Sequence, residues 1–253
     1  MSESSDRGSA YALKHARVGD IVTLRCVPRE AAVAGVSDQC VSVRWPWNEI
    51  DPDSMTQWNG LRSIPRTPDT PDWDSEPFQV LSPADVIRPQ GVCEVAIPDV
   101  VAYVAAIDEF PEPLDVGWLP RPSVYLTLVS HGVRVPPHAE EVGFTLDPDG
   151  AEPIEAEMIH RPYAFLRDGD EVVDHAGRAW TFSAPWRWTS FDQGPGNAPE
   201  WPLNLISRDR EADSQGDERV ARATSSGTHA DEITRWLTHA GLDEAPQIPL
   251  PED

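Results

Sequence analysis

Two pairs of residues have types and spacing that chemistry could use. His131 and His138 bracket Pro136-Pro137, and imidazoles on either side of a stiff turn can share a metal or relay a proton. Glu155 and Glu157 alternate along an apolar run, so a strand there puts both carboxylates on one face, as paired catalytic carboxylates sometimes are. The two pairs are the raw material for an enzyme of hydrolase type, with its site assembled from scattered histidines and acids. Scattered surface or hydrogen-bonded histidines and solvent-facing acids are the reading the sequence favours for both pairs, and the other five histidines (His15, His160, His175, His229 and His239) add no H-E-x-x-H pattern.

Other catalytic signatures are missing. The chain has no G-x-S-x-G, no P-loop and no G-x-G-x-x-G. Cys26, Cys40 and Cys93 form no C-x-x-C pair and are odd in number, so neither a zinc site nor a disulfide framework is expected. Asp147-Pro148-Asp149-Gly150-Ala151-Glu152 has the look of a calcium loop but lacks its spacing and distal Glu, and reads as a hairpin turn. On this reading no catalytic residue, cofactor or metal is assigned.

Charge says more. The chain carries 43 acidic residues against 20 Lys and Arg, a net charge of −23. Between Asp108 and Asp174 there are 15 acids and 4 arginines, nearly half of the excess in about a quarter of the chain. A field of this sign repels phosphate backbones and anionic membranes and steers a basic protein toward the surface. Aromatic groups in a long loop can anchor such a contact. The expected partner-binding residues are therefore Trp58, Trp73, Asp147, Asp149, Glu152, Glu155 and Glu157. The functional expectation is a non-catalytic acidic protein that binds a basic protein partner, of the kind an inhibitor or immunity protein represents. It is expected to bind neither nucleic acid nor membrane. The enzyme above is the alternative, and a structural or assembly component a third. The free thiols and a polar stretch from Met1 to Ala12 suit the cytoplasm, and no apolar run is long enough for a membrane span.

The elements that must position these residues are mostly strands. Val41, Val43, Trp45 and Trp47 share one parity with Ser42, Arg44 and Pro46 on the other, the signature of a half-buried strand. Strands are also expected over Ile21–Val27, Phe78–Leu81, Val92–Ile97, Val124–Val129, Val142–Leu146 and Ile154–Ile159. Val100–Ile107 fits a strand or a buried helix. Residues 48–77 read as a long irregular connection, and Ser82-Pro83 as the cap of a brief helical turn. A second Trp-rich series follows the first in the same order. It runs Gly169-Asp170-Glu171-Val172, then Trp180, Phe182, Ala184, Trp186 and Trp188 on one face, then Trp201 and Leu203 to Ile206. The first series begins at Gly19-Asp20, so an internal repeat is expected, with both Trp stripes facing a core.

Near the end, Thr228 and Asp231 form a capping box. Ile233, Trp236, Leu237 and Ala240 make an apolar stripe, and Gly241 suits a helix C-terminus. The expected fold is mainly β, a β-rich α+β chain. Two small Trp-rich antiparallel β modules, each of SH3-like barrel size, are joined by a β-rich middle segment and followed by a C-terminal amphipathic helix. The expected boundaries are a tail at 1–17, a first module at 18–95, an acidic middle at 96–167, a second module at 168–208, a charged linker at 209–226, and the helix with its tail at 227–253.

Overall fold

The structure, a computed structural model, describes residues 13–48, 53, 55–67, 76–83, 85–110, 116–117, 121–134, 142–192 and 198–245. A 3₁₀ turn at Leu13–His15 precedes strands β1 (Ile21–Val36), β2 (Cys40–Arg44), β3 (Met55–Thr56), β4 (Leu61–Pro65), β5 (Gln79–Val80), β6 (Val92–Glu109) and β7 (Val116–Gly117). These are followed by β8 (Val124–Ser130), β9 (Phe144–Leu146), β10 (Ile154–His160), β11 (Glu171–Val173), β12 (Ala179–Ser183), β13 (Arg187–Ser190) and β14 (Asn204–Ser207). Helices α1 (Ser214–Ala223) and α2 (His229–Ala240) close the described chain. The fold is mainly β, as expected, with antiparallel sheets and aromatic clusters. The short pair β3–β7 is parallel.

The chain forms two compact units. The first is built on Val22–Met158. Its eight-stranded sheet runs β4-β2-β1-β6-β8-β9, with β10 also paired to β1 and β5 also paired to β6. Two strands are long because two cores share them. The Val33–Val36 end of β1 pairs with β2, and the Val95–Ala96 part of β6 pairs with β5. There Val33, Val41, Val43, Trp45, Ile64, Phe78, Val95 and Ile97 bury a first core. Farther along, β6 pairs with β8 from Ala102 to Glu109, and Val22, Leu24, Val104, Leu126, Leu128 and Phe144 bury a second. Each such side chain contributes roughly 1.5–3 kcal/mol by leaving water. Val100 and Ile154 pack against both cores.

Two expectations change here. Val92–Ile97 and Val100–Ile107 are one strand, because the β-branched run continues through Pro98 without a turn. That strand passes through the boundary drawn between residues 95 and 96, so the first module and the acidic middle share a sheet. The region 48–77 holds β4, which pairs with β2 in continuous register from Cys40–Pro65 to Arg44–Leu61 and buries Ile64. Ser82-Pro83 opens a single turn, in which the Val86 N–H reaches the Pro83 carbonyl at 3.0 Å.

The second unit comprises residues 17–21 and Ile159–Ala245. Its sheet has the order β13-β12-β11-β14, and Tyr163, Leu166, Val172, Trp180, Phe182 and Leu203 fill its core. The stripe from Trp180 to Trp188 is not one strand. It is a hairpin in which β12 pairs with β13, turning at Ala184–Trp186, because Pro185 cannot donate to a ladder. The Trp faces still serve the core as expected: Trp180 is buried and Trp186, Trp188 and Trp201 pack against it.

Helix α2 starts at Thr228, whose side chain accepts the Asp231 N–H, and ends at Gly241 in the left-handed conformation at φ 71°. Trp236 is fully buried and donates its indole N–H to the Gly19 carbonyl at 2.6 Å. The expected linker contains α1. Asp213 caps it by accepting the Gly216 N–H at 2.9 Å, and Val220 is its only buried large apolar residue, too little to mark a helix by periodicity.

Two Gly-Asp turns in this unit are built alike. Asp20 accepts the Arg17 N–H at 2.8 Å and is clamped by Arg161 at 2.7 and 2.6 Å. Asp170 accepts the Arg167 N–H at 2.9 Å and is clamped by Arg208 at 3.0 and 2.6 Å. In each case the preceding glycine has positive φ, 90° at Gly19 and 79° at Gly169.

Two histidines of this unit are expected to make it acid-sensitive. His160 stacks on His239 at 5.1 Å, and His229 Nδ1 hydrogen-bonds the Tyr163 hydroxyl. Burial pushes His160 below its ordinary value, with His239 and Arg235 pushing the same way and Glu232 and Asp20 opposing. Burial also lowers His229, with Glu232 opposing. The unfolded chain therefore binds more protons just below the ordinary histidine pKa of about 6.5, and stability rises with pH there. Urea unfolding is expected to give a lower midpoint at pH 5.5 than at pH 7.5. In a His160→Gln, His229→Gln variant that difference shrinks.

Candidate functional site

The first unit carries a cavity of about 680 Å³, within the usual range for ligand sites. One wall is aromatic. Trp45 follows β2, Trp58 precedes β4, and Phe78 precedes β5. The Trp45 ring meets Phe78 edge-on at 4.7 Å and Trp47 at 4.9 Å. Trp58 is half-buried against the first core and donates its indole N–H to the Leu61 carbonyl at 3.0 Å. A second wall comes from the start of β8, with Arg121, Pro122 and Tyr125.

The third wall is the turn between β9 and β10. Asp147 accepts the Asp149 N–H at 2.9 Å, an Asx turn, and the Gly150 N–H reaches the Asp147 carbonyl at 3.2 Å. A Cβ on Gly150 would come within 2.8 Å of a Glu152 carboxylate oxygen, so a larger residue would push that acid aside. Trp45 donates its indole N–H to Glu152 at 2.8 Å, tying the acidic turn to the aromatic wall.

The charges are unevenly matched. Arg62 lies 4.5 Å from the Trp45 ring and 4.9 Å from that of Phe78, and both arms of its fork hold Glu76 at 2.7 and 2.9 Å. Burial pushes the Glu76 carboxyl up, and Arg62 draws it back. With Arg62 spent on Glu76, the described residues of the lining keep three carboxylates, Asp147, Asp149 and Glu152, against the guanidinium of Arg121. Burial raises the Asp147 carboxyl, and the neighbouring Asp149 and Glu152 add to the rise against the Asp149 N–H. Burial also raises Tyr125, with Asp147 adding and Arg121 opposing. A cation entering here finds aromatic faces and under-compensated acids, the two features that hold a guanidinium or ammonium group.

Of the residues expected from sequence, the fold brings Trp58, Asp147, Asp149 and Glu152 to this one cavity. Glu155 and Glu157 lie exposed on β10 outside its lining, and Glu155 pairs with Arg25 at 2.5 Å on the surface. His131 is exposed after β8. Trp73 and His138 fall outside the described residues. Among the described residues no group of three or more His, Cys, Asp or Glu is placed to hold a metal, and no helix is long and apolar enough to cross a membrane. Sequence reasoning left out Arg62, Phe78, Arg121 and Tyr125, which reach the cavity through strand pairing that no local pattern announces. It also put Trp45 in the core alone, whereas the ring does both jobs.

Comparison with protein-family models, with curated proteins and with solved structures finds no match to this chain.

Proposed function

We propose that this chain is a non-catalytic binding protein that engages a basic partner by taking one of the partner's cationic side chains into the cavity of the first unit. The observation that carries the reading is the meeting of Trp45, Trp58 and Phe78 with Asp147, Asp149 and Glu152 around a single space. The surrounding net charge of −23 steers a basic protein toward it and selects against anionic ones. An inhibitor or immunity-type protein works in this way, covering the basic working surface of its target. The matching geometry of the two Gly-Asp turns supports the internal duplication read from the sequence.

The test is capture on immobilised protein from the native extract at low salt, with elution by rising salt. The wild type is expected to retain a basic protein that salt releases, and an Asp147→Asn, Glu152→Gln variant to lose it. Equal retention by that variant would move the interface away from the cavity.

Binding should also depend on pH. A cation favours ionised Asp147, whose carboxyl sits above the ordinary range in the free protein. Affinity is therefore expected to fall as pH drops through that raised value, earlier than exposed acids would protonate, with proton release on binding in mildly acidic buffer. Calorimetry in two buffers of different ionisation enthalpy measures the released proton. Asp147→Asn should abolish it.

A further inference from the structure

The cavity has a second pole. Arg121 stands on its wall with its guanidinium 4.5 Å from the Phe110 ring, and Phe110 in turn meets Tyr125 edge-on at 6.2 Å. Its Nε is buried with no hydrogen-bond partner among the described residues. None of the described acids that share the cavity forms an ion pair with it, although Arg62 on another wall is matched in full by Glu76. Tyr125, raised by burial, also feels both charges, Asp147 pushing its hydroxyl up and Arg121 drawing it back. A buried guanidinium atom without an acceptor is costly, and on a cavity wall a bound group that supplies acceptors relieves that cost.

Resting on the reading above, we infer that the ligand is dipolar: a guanidinium for Asp147, Asp149 and Glu152, and a free carboxylate for Arg121, carried on one arginine residue. A purely cationic ligand would satisfy the acidic turn and leave its own charge facing Arg121. A carboxylate offers the fork of Arg121 two acceptors at once, the geometry in which guanidinium binds best. The same cavity already shows how it treats a guanidinium, since Arg62 rests against Trp45 and Phe78 while a carboxylate holds both arms. The volume of about 680 Å³ accommodates more than a single side chain, as a carboxy-terminal segment requires. Two sources supply this chemistry, a partner chain ending in arginine and free arginine, and the test separates them.

Calorimetry at low salt on the full chain compares L-arginine with agmatine, which lacks the carboxylate, and the peptide Gly-Gly-Gly-Arg as the free acid with its carboxy-terminal amide. Each carboxylate form is expected to bind at least tenfold more tightly than its carboxylate-free counterpart. Arg121→Gln is expected to erase the difference, weakening the carboxylate forms and tightening agmatine because a repelling cation is gone, and near-UV circular dichroism checks that the variant keeps its fold. Binding of the peptide acid above that of arginine assigns the site to a chain terminus; the reverse order assigns it to the free amino acid. Agmatine and the amide binding as tightly as the acids would overturn the dipolar ligand while leaving the cation site standing. No binding by any of the four would remove both.

Discussion

Replacing Asp170 with asparagine is expected to destabilise the second unit by about 3–5 kcal/mol, the range for removing one partner of a buried ion pair. The Asp170 and Arg208 side chains are only 1% and 6% exposed. The carboxylate takes two bonds from the Arg208 fork and a third from the Arg167 N–H. Asparagine keeps one acceptor but turns an amide toward the guanidinium, leaving a buried cation without its full counter-charge. Arg208 also bonds Asp213, the cap of α1, so the damage spreads from the turn to the helix. Urea unfolding should show a lower midpoint with an unchanged slope. Glu155→Gln makes the control, since its pair with Arg25 is exposed on both sides and the midpoint is expected to stay in place. If both variants unfold alike, the buried clamp does not hold the turn.

The second large effect is on binding. Asp147→Asn with Glu152→Gln is expected to weaken a cationic partner by about 2–5 kcal/mol, or thirtyfold and upward, because each change removes the opposite of a desolvated charge. The fold should survive. The substituted asparagine still offers an oxygen to the Asp149 N–H, and the substituted glutamine still offers one to the Trp45 indole, the two bonds that shape the wall. The loss should appear mainly in the dissociation rate. Wild-type affinity should fall with added salt, and the variant should respond less, since the charges that salt screens have been removed. A loss that is equal at low and high salt would assign the effect to shape rather than charge.

How much of this could be read from the residues depends on the range of the interaction involved. The α2 helix was legible because Thr228, the Trp236 stripe and Gly241 are local signals that tertiary structure only confirms. The strand-rich fold was legible through period-two patterns such as Val41, Val43 and Trp45. Helix α1 was not, because its stability comes from the Asp213 cap, the Arg208 bond and one buried valine rather than an apolar face. Strand β4 was hidden in a polar stretch, since Ile64 is its only deeply buried large apolar side chain and its register is set by β2. The acidic turn could be picked out by charge, and Trp58 by its place in a loop. What charge could not supply was the company: Arg62, Phe78, Arg121 and Tyr125 come from segments distant in sequence. Nor could it separate Asp147 and Glu152, which line the cavity, from Glu155 and Glu157, which leave it one turn later on the exposed face of β10.

The most direct test of the cavity as the working site is the indole N–H region of a nitrogen-15 correlation spectrum during titration with an arginine-rich peptide at low salt. Trp45 and Trp58 line the cavity, and the Trp45 indole bonds the very carboxylate a cation would engage. Trp180 and Trp236 bond Asp174 and Gly19 inside the second unit and serve as internal references. The account predicts that the Trp45 and Trp58 signals move in a saturable way while those of Trp180 and Trp236 stay still, and that salt reverses the shift. Saturable binding that leaves Trp45 and Trp58 unmoved would contradict it.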